Sequence, residues 1–399
     1  MILAHKIRLV PTREQEQYFV RACGTARFAY NWALAEWRRQ YQSGEKPSEM
    51  ALRRALNAIK DEQFPWMREV TKNAPQQAIK NLGRAYANFF EDLEKSRRGG
   101  LARKRVRVPD FKKKGRRDCF RADNGPDKLR PNAVEVAAGR VRLPVIGWVA
   151  MREELRFSGR ILSATISRRA DQWYASFSIE VAHVVPARTD TNVIGVDLGI
   201  TALAAFSDGS PKLEAPKPLR RYLKTLRRLS RALARKKLGS RNRAKAKTKL
   251  ARLHLRISNI RSDTLHKLTT NLIRYRTIVI EDLNVAGMLA NRRLSRAIAD
   301  VGFYEFRRQL EYKAAMHGSD VVVADRWFPS SKICSTCGAR NETLTLAERN
   351  WSCRSCGLFH DRDANAAINL ARYAESSPAS ACGAGGSGGK SDLTAKLPA

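Results

Sequence analysis

Acidic residues are what this chain has least of. Between Ala215 and Ser262 there is no aspartate or glutamate, while 18 lysines and arginines occupy the same stretch. A solvated face normally mixes both signs, so such a stretch repels itself unless phosphates or other anions cover it. Over all 399 residues, 75 Lys and Arg stand against 38 Asp and Glu, a formal charge of +37. A protein this basic needs a polyanionic partner, and nucleic acid is the first candidate. An acidic membrane surface is the weaker one, because no basic amphipathic segment carries the Trp/Phe face that role requires. No run of 18 apolar residues exists, which excludes a membrane-spanning helix. Residues 1–10 interleave charge with apolar residues and have no signal-peptide core. Cysteine is scarce too: there are seven, an odd number, and four fall in two Cys-x-x-Cys pairs. That excludes a secreted disulfide framework and points to a reducing cytoplasm. What is present in quantity is apolar surface, 43% hydrophobic and 8% aromatic, which excludes a disordered polycation. At roughly 100–200 residues per domain, several domains are expected.

Residues 1–10 read as a strand stopped by Pro11, and Thr12-Arg13-Glu14-Gln15 as a capping box that starts a helix. That helix carries Phe19, Cys23, Phe28, Trp32 and Trp37, with Gly24 a candidate kink. A second long helix from about Ala74 to Lys95 sets Ile79, Leu82, Tyr86, Phe89, Phe90 and Leu93 on one stripe. Residues 11–96 are thus expected as a helical domain. From 97 to 117, basic residues face Asp110 alone, and Val108 and Phe111 are expected to anchor this arm to a folded body. From about 132 the period becomes that of strands: Val134–Val136, Val141–Leu143, and Ile161–Ile166 paired with Trp173–Val181 across an Ala170-Asp171-Gln172 turn. Short strands without helices between them predict a small β-barrel over 97–186, completed by residues 1–10. After Pro186 strand, helix and strand alternate, which is the α/β signature. Val193–Val196 and Leu203–Phe206 are short strands, the second turning at Asp208-Gly209. The acid-free stretch reads as a helical hairpin broken at Gly239-Ser240. Leu219, Leu223, Leu226 and Leu233 line one arm, and Leu250, Leu253, Ile257 and Ile260 the other. The Ser/Gly/Ala-rich tail at 376–399 is expected to be disordered. The fold class expected is multidomain, α+β and α/β.

Two sets of residues carry chemistry. Cys334-Ser-Thr-Cys337-Gly and Cys353-Arg-Ser-Cys356-Gly each put two thiolates on one tight knuckle, with Gly338 and Gly357 free to take the positive φ of the turn. Together they predict a zinc ribbon. Four thiolates leave no open position for water, so this Zn²⁺ is structural. The second set is Asp197 at the end of Val193-Ile194-Gly195-Val196, Glu281 at the end of Thr277-Ile278-Val279-Ile280, and Asp363 at the opening of a helix. Carboxylates converging from two strand ends and a helix start make an oxygen site for two Mg²⁺ ions, which Mn²⁺ also suits. Each taken singly has a plain reading as a turn or cap residue, and Asp361 or Asp363 is also a candidate N-cap.

In order, Gly195-Val196-Asp197-Leu198-Gly199-Ile200, Ile280-Glu281-Asp282-Leu283-Asn284, the two knuckles and Asp361-Arg362-Asp363-Ala364-Asn365-Ala366-Ala367 resemble the TnpB family. These are transposon-encoded RNA-guided nucleases with a RuvC-like domain, related to type V CRISPR effectors. Thr25–Asn31, Ala85–Phe90, Val108–Lys114, His266–Thr270 and Phe328–Lys332 carry the same resemblance, so it spans nearly the whole chain.

The resemblance implies a RuvC triad of Asp197, Glu281 and Asp363, preferring Asp363 to Asp361 and Glu281 to Asp282. It implies a helical recognition lobe at 11–96 and a β-barrel (wedge) domain from 1–10 and 97–186. An RNase H-like RuvC domain falls at 187–326 and 358–375, with a zinc ribbon inserted at 327–357. The implied partners are a guide RNA from the transposon end and double-stranded target DNA beside a short motif. Lys72 and Gln76 align with positions that touch that motif, while Asn73 stands where an aromatic is expected. Arg227, Arg228, Arg231 and Arg235 on the hairpin, with Lys112, Lys113 and Lys114 on the arm, are the candidates to contact nucleic-acid backbone. The hairpin is expected to line the heteroduplex channel and carry strands toward Asp197. The function expected is RNA-guided, metal-dependent cleavage of DNA by a prokaryotic, cytoplasmic, nucleoid-associated protein, with a monomer favoured. The competing readings are an RNA-guided DNA-binding repressor with weak or no catalysis, and a non-enzymatic zinc-ribbon RNA-binding protein. A transposase in the strict sense leaves the guide-binding half without a use.

Overall fold

The alternating residues at the start of the chain form β1 (Ile2–Val10), whose His5, Ile7 and Leu9 point inward. The structure, a computed structural model, describes residues 1–99, 106–125, 133–182, 185–345 and 347–376. Arg103, Lys104, Arg105 and the expected tail after Ser376 lie outside the described residues. The chain divides into two units, Met1–His183 and Val184–Ala399.

In the first unit, the Thr12–Gln15 capping box forms as expected, with Thr12 Oγ1 accepting from Gln15 N and Gln15 Oε1 accepting from Thr12 N. It opens α1 (Arg13–Gln42), which runs unbroken through Gly24. Next come α2 (Glu49–Gln63) and α3 (Asn73–Arg97). No expected element covers α2. Only its Leu52 and Leu56 are fully buried, an apolar stripe too thin to stand out among its charges. Trp37 of α1 stacks on Tyr86 of α3 at 4.2 Å. Phe90, expected on the same stripe, is half-exposed beside Phe89.

The strands that follow are β2 (Cys119–Asp123), β3 (Glu135–Ala137), β4 (Arg140–Leu143), β5 (Gly147–Met151), β6 (Arg160–Arg169) and β7 (Gln172–Glu180). The β6–β7 hairpin turns at Ala170-Asp171, with Arg169 opposite Gln172. The seven-stranded order is β2-β6-β7-β1-β5-β4-β3. β1 therefore sits in the middle, pairing β7 over most of its length and β5 at Leu9 and Val10. Asn124, just past β2, donates to Ile161 O and Val134 O and accepts from Val134 N, so one side chain links the two edges of the sheet. The helices and sheet share a core in which Phe19 lies 5.1 Å from Trp173 and 5.9 Å from Phe120.

The second unit opens with β8 (Val193–Leu198), β9 (Ala202–Phe206) and β10 (Leu213–Glu214). The acid-free stretch becomes α4 (Pro218–Ala234) and α5 (Arg241–Leu272), with Ser240 accepting from Arg243 N as the α5 cap. After these come β11 (Thr277–Glu281), α6 (Val285–Ala290), α7 (Ser295–Val301), α8 (Phe303–His317) and β12 (Asp320–Ala324). The small hairpin β13 (Asn350–Ser352) and β14 (Phe359–Asp361) precedes α9 (Arg362–Ser376). The main sheet has the order β10-β9-β8-β11-β12, with β11 parallel to both β8 and β12. β11 is buried on both faces, as a near-continuous apolar strand should be. Ile278 and Ile280 meet Leu265, Phe306 and Leu310 of α5 and α8, and Val279 meets Leu370 and Ala374 of α9.

α4 has no cap of its own, because Lys217 before it is left-handed and makes no side-chain cap. Asp300 of α7 supplies one from a distance. It accepts from Leu219 N and Arg220 N and pairs with Arg261 of α5, while only 3% exposed. Among the described residues, no helix is long and apolar enough to cross a membrane.

Candidate functional site

Parallel pairing places the first two carboxylates. Ile278 lies opposite Ile194 and Ile280 opposite Val196. Asp197 and Glu281, each one residue further on, therefore emerge at the same level from strands about 4.8 Å apart. The third, Asp363, is in the first turn of α9. α9 lies directly on β8: a Cβ at Gly195 would come 2.0 Å from Ala367 O. This explains the small residues after Asp363, since Ala366 and Ala367 are 1% and 0% exposed. A larger side chain at any of these positions lifts the helix, and Asp363 with it.

The three carboxylates feel one another. Burial pushes the Asp197 carboxyl up to about 8, the charges of Glu281 and Asp363 push the same way, and Arg362 and Lys212 oppose them. They do not crowd as closely as thiolates on a metal: among the described residues, only four cysteines have ligand atoms all within 4.8 Å of one another. Neighbouring acids are engaged elsewhere. Asp361 Oδ1 caps α9, accepting from Asp363 N and Ala364 N at 3.0 Å each. Burial works against ionisation of Asp361, but the Lys212 ammonium and the helix N–H groups prevail and lower its pKa. Asp282 pairs with Arg307 and Arg326. Glu281 Oε1 instead accepts from Ser330 Oγ at 2.7 Å.

Lys212, which no motif marks, completes the cluster. Its Nζ lies 2.7 Å from Asp361 Oδ1 and 2.9 Å from Asp363 Oδ2, a resident cation among carboxylates. Asp197, Glu281 and Asp363 offer only oxygen donors, the ligand type that hard divalent ions take.

The four cysteines converge as their spacing predicts. Cys334 Sγ is 3.7 Å from Cys356 Sγ, and Cys337 Sγ is 3.6 Å from Cys353 Sγ. A tetrahedron with Zn–S bonds of about 2.3 Å has edges of about 3.8 Å, so the cluster could hold zinc. Gly338 and Gly357 take φ of +77° and +76°, as each knuckle requires. His360 Nε2 lies 3.0 Å from Cys334 Sγ, a polar neighbour that no spacing rule identifies.

The candidates for nucleic-acid contact are less uniform. Lys72 is exposed at the start of α3, Gln76 is half-buried one turn on, and Asn73 Nδ2 donates to Asp123 O at 3.4 Å. Val108 and Phe111, expected as apolar anchors of the basic arm, stay 54% and 42% exposed. Polar and cation–π contacts fasten the arm instead. Asn31 exchanges hydrogen bonds with the Lys112 backbone, and Arg38 donates to Pro109 O and lies over the Phe111 ring. Lys112, Lys113 and Lys114 are all exposed, and Lys112 Nζ sits 3.9 Å from the centre of the Tyr30 ring. Arg227, Arg228 and Arg231 on α4 and Arg235 at its C-cap are all exposed.

The fold defines a class: a mixed α/β protein similar in structure to Cas12 effectors. The solved "Cas12f1-sgRNA-target DNA complex" matches with a TM-score of 0.50 at 14% identity, covering 91% of this chain and 83% of that one. Residues 176–292 match a family described as "Probable transposase" (OrfB_IS605), and residues 303–370 match the "Cas12f1-like, TNB domain". Residues 1–46 match a family described as a "Helix-turn-helix domain", although here they form β1 and the single helix α1. A "Putative RNA-guided DNA endonuclease" of Streptomyces pristinaespiralis is 39% identical over 386 residues, 96% of this chain and 91% of the relative. InsQ of Escherichia coli K12, named in the same words, is 33% identical over 92% of this chain and 91% of its own length. The chain belongs to the TnpB family.

Proposed function

We propose that this protein is an RNA-guided DNA endonuclease that cuts double-stranded DNA beside a short motif, with Asp197, Glu281 and Asp363 as its catalytic carboxylates. The observation that carries the reading is their placement. Two acids leave adjacent parallel strands at one level, and the third opens a helix seated on the first strand. The sheet order, with β8 central and β11 and β12 parallel to it, supports reading this unit as an RNase H-like nuclease core. Mg²⁺ or Mn²⁺ held by these acids would supply Lewis acidity to the attacking and leaving oxygens of a phosphodiester.

The chain's own residues prepare that site. Strand ends fix Asp197 and Glu281 on rigid backbone, Ser330 orients Glu281, and Asp361 rather than Asp363 caps α9, leaving Asp363 held by Lys212, Arg349 and Arg362. Lys212 keeps positive charge beside Asp363. A Zn²⁺ on Cys334, Cys337, Cys353 and Cys356 is structural. In this reading, sequence recognition belongs to a guide RNA from the transposon end, while the protein grips backbone. Exposed Arg227, Arg228, Arg231 and Arg235, with Lys113 and Lys114, serve that grip. Lys72 and Gln76 read the target-adjacent motif, and Lys112 acts mainly to seat the arm on Tyr30. The first unit then comprises recognition helices and a wedge barrel, and the protein works as a monomer on the nucleoid.

The test is direct. The protein is purified with its RNA, the RNA is sequenced, and the complex is incubated with plasmids bearing the matching target beside randomised flanks. Linearisation that needs a divalent ion and disappears in Asp197→Ala supports the reading. Target binding without any cut identifies a repressor instead.

A further inference from the structure

The four-cysteine cluster and the carboxylate cluster are joined by buried hydrogen bonds. The segment from Ser330 to Ser335 runs between them. At one end, Ser330 Oγ donates to Glu281 Oε1 at 2.7 Å, and at the other the chain enters the first knuckle at Cys334. α9 grips the same segment along one face. Asn369 Nδ2 donates to Ser330 O at 2.8 Å and to Ile333 O at 2.7 Å. One turn earlier, Asn365 Nδ2 donates to Ile333 O at 2.7 Å and Asn365 Oδ1 accepts from Ser335 N at 2.8 Å. One turn later, Arg372 donates to Ser335 O. Ser330, Asn365 and Asn369 are 3%, 1% and 4% exposed, so water cannot replace these partners. Asn365 stands two residues from Asp363 on the helix that β8 holds through Gly195.

We infer that Ser330, Asn365 and Asn369 form a positioning relay that couples occupancy of the cysteine site to the geometry of the carboxylate site. The inference rests on the reading of Asp197, Glu281 and Asp363 as ligands of a divalent ion. The cysteine site sets the path of the segment from Ser330 to Ser335. That path sets the Ser330 hydroxyl, and the hydroxyl selects the orientation of Glu281. Asn365 and Asn369 tie the same path to the helix bearing Asp363, so both acids are referenced to one knuckle. Coupling of this kind is reciprocal in affinity: an ion at the carboxylates must also tighten zinc binding at the cysteines.

The test uses the full chain loaded with zinc, comparing wild type, Ser330→Ala, Ser330→Thr, Asn365→Ala/Asn369→Ala and Asp197→Ala. Mn²⁺ binding is read by electron paramagnetic resonance, and equilibrium zinc affinity by competition with a chromogenic chelator, with and without saturating Mn²⁺. Ser330→Ala is expected to keep its zinc and its circular dichroism spectrum but to bind Mn²⁺ about tenfold more weakly, the worth of one hydrogen bond to a charged group. Ser330→Thr, which retains the hydroxyl, should restore binding. In wild type Mn²⁺ should tighten zinc binding, and in Ser330→Ala it should not. Guide-loaded cleavage by Ser330→Ala should lose kcat rather than gain KM. Wild-type Mn²⁺ affinity in Ser330→Ala, or zinc affinity indifferent to Mn²⁺ in wild type, overturns the relay. If Asp197→Ala binds Mn²⁺ as wild type does, the carboxylate reading itself has failed, a result distinct from failure of the relay. If the double asparagine variant does not fold, the two Ser330 variants still decide.

Discussion

At the scale of single residues, the site is a balance of like charges. Asp197 holds its proton to about 8 in the folded chain, against 3.8 for an ordinary aspartate, chiefly through burial and then through Glu281 and Asp363. Between those values the folded state binds more protons than the unfolded one. The ion-free protein should therefore lose stability as pH rises from about 4 to about 8. A divalent ion must displace that proton, so its affinity should climb with pH and level off above about 8. Calorimetric titration at several pH values checks this, and Asp197→Asn should flatten the profile. Lys212 makes the complementary case. Replacing it with Met removes the ammonium that now bridges Asp361 and Asp363. The ion-free variant should melt several degrees lower, and Mg²⁺ should raise its Tm by more than it raises that of wild type. An equal increment in both proteins would show that Lys212 and the metal do not share Asp363. The acids were legible because strand-end and helix-start carboxylates stand out against apolar runs. Lys212 and Ser330 were not, because each reaches its carboxylate from a distant part of the chain and lies in no periodic pattern.

At the scale of elements, the hairpin of α4 and α5 joins a cationic surface to a thin apolar seam. Leu253 and Ile257 are buried, while the leucines of α4 are only half-buried. The leucine spacing and the Gly239-Ser240 break made this hairpin legible. Its dependence on Asp300 was not, since that cap comes from another helix. Asp300→Ala leaves Leu219 N, Arg220 N and Arg261 Nη2 without their carboxylate acceptor, while Arg261 Nε keeps Asp300 O. It should destabilise the protein by about 2–3 kcal/mol, read as a lower urea midpoint, with Asp300→Asn losing less. Neutralising Arg227, Arg228, Arg231 and Arg235 together should leave the fold intact, because all are exposed. It should weaken RNA binding and lower the slope of log K against log salt by as much as about 3. Unchanged affinity and slope would remove this face from the nucleic-acid interface. α2 shows the opposite limit of pattern reading: a helix with two fully buried leucines exists because α1 and α3 pack against it, and its own period hardly announces it.

At the scale of the whole molecule, a charge of +37 ties stability to the partner. Chain stripped of RNA by nuclease should melt well below the RNA-bound form, and the gap should narrow as salt is raised. A gap independent of salt would mean that the charge is not the RNA's counterion. The position of β1 carries a consequence of another kind, one of timing. Its hydrogen-bonding partners in β7 are nearly 180 residues further along the chain, ending in the bond from Met1 N to Val181 O. During synthesis, at about 5–20 residues per second, β1 leaves the ribosome and waits on the order of ten seconds or more for the strands on either side of it. Through that interval its apolar face and both of its edges are open to wrong partners. The first unit can close only after β7 has emerged, so a chain cut short before β7 leaves Ile2 to Arg8 of its central strand without their partner.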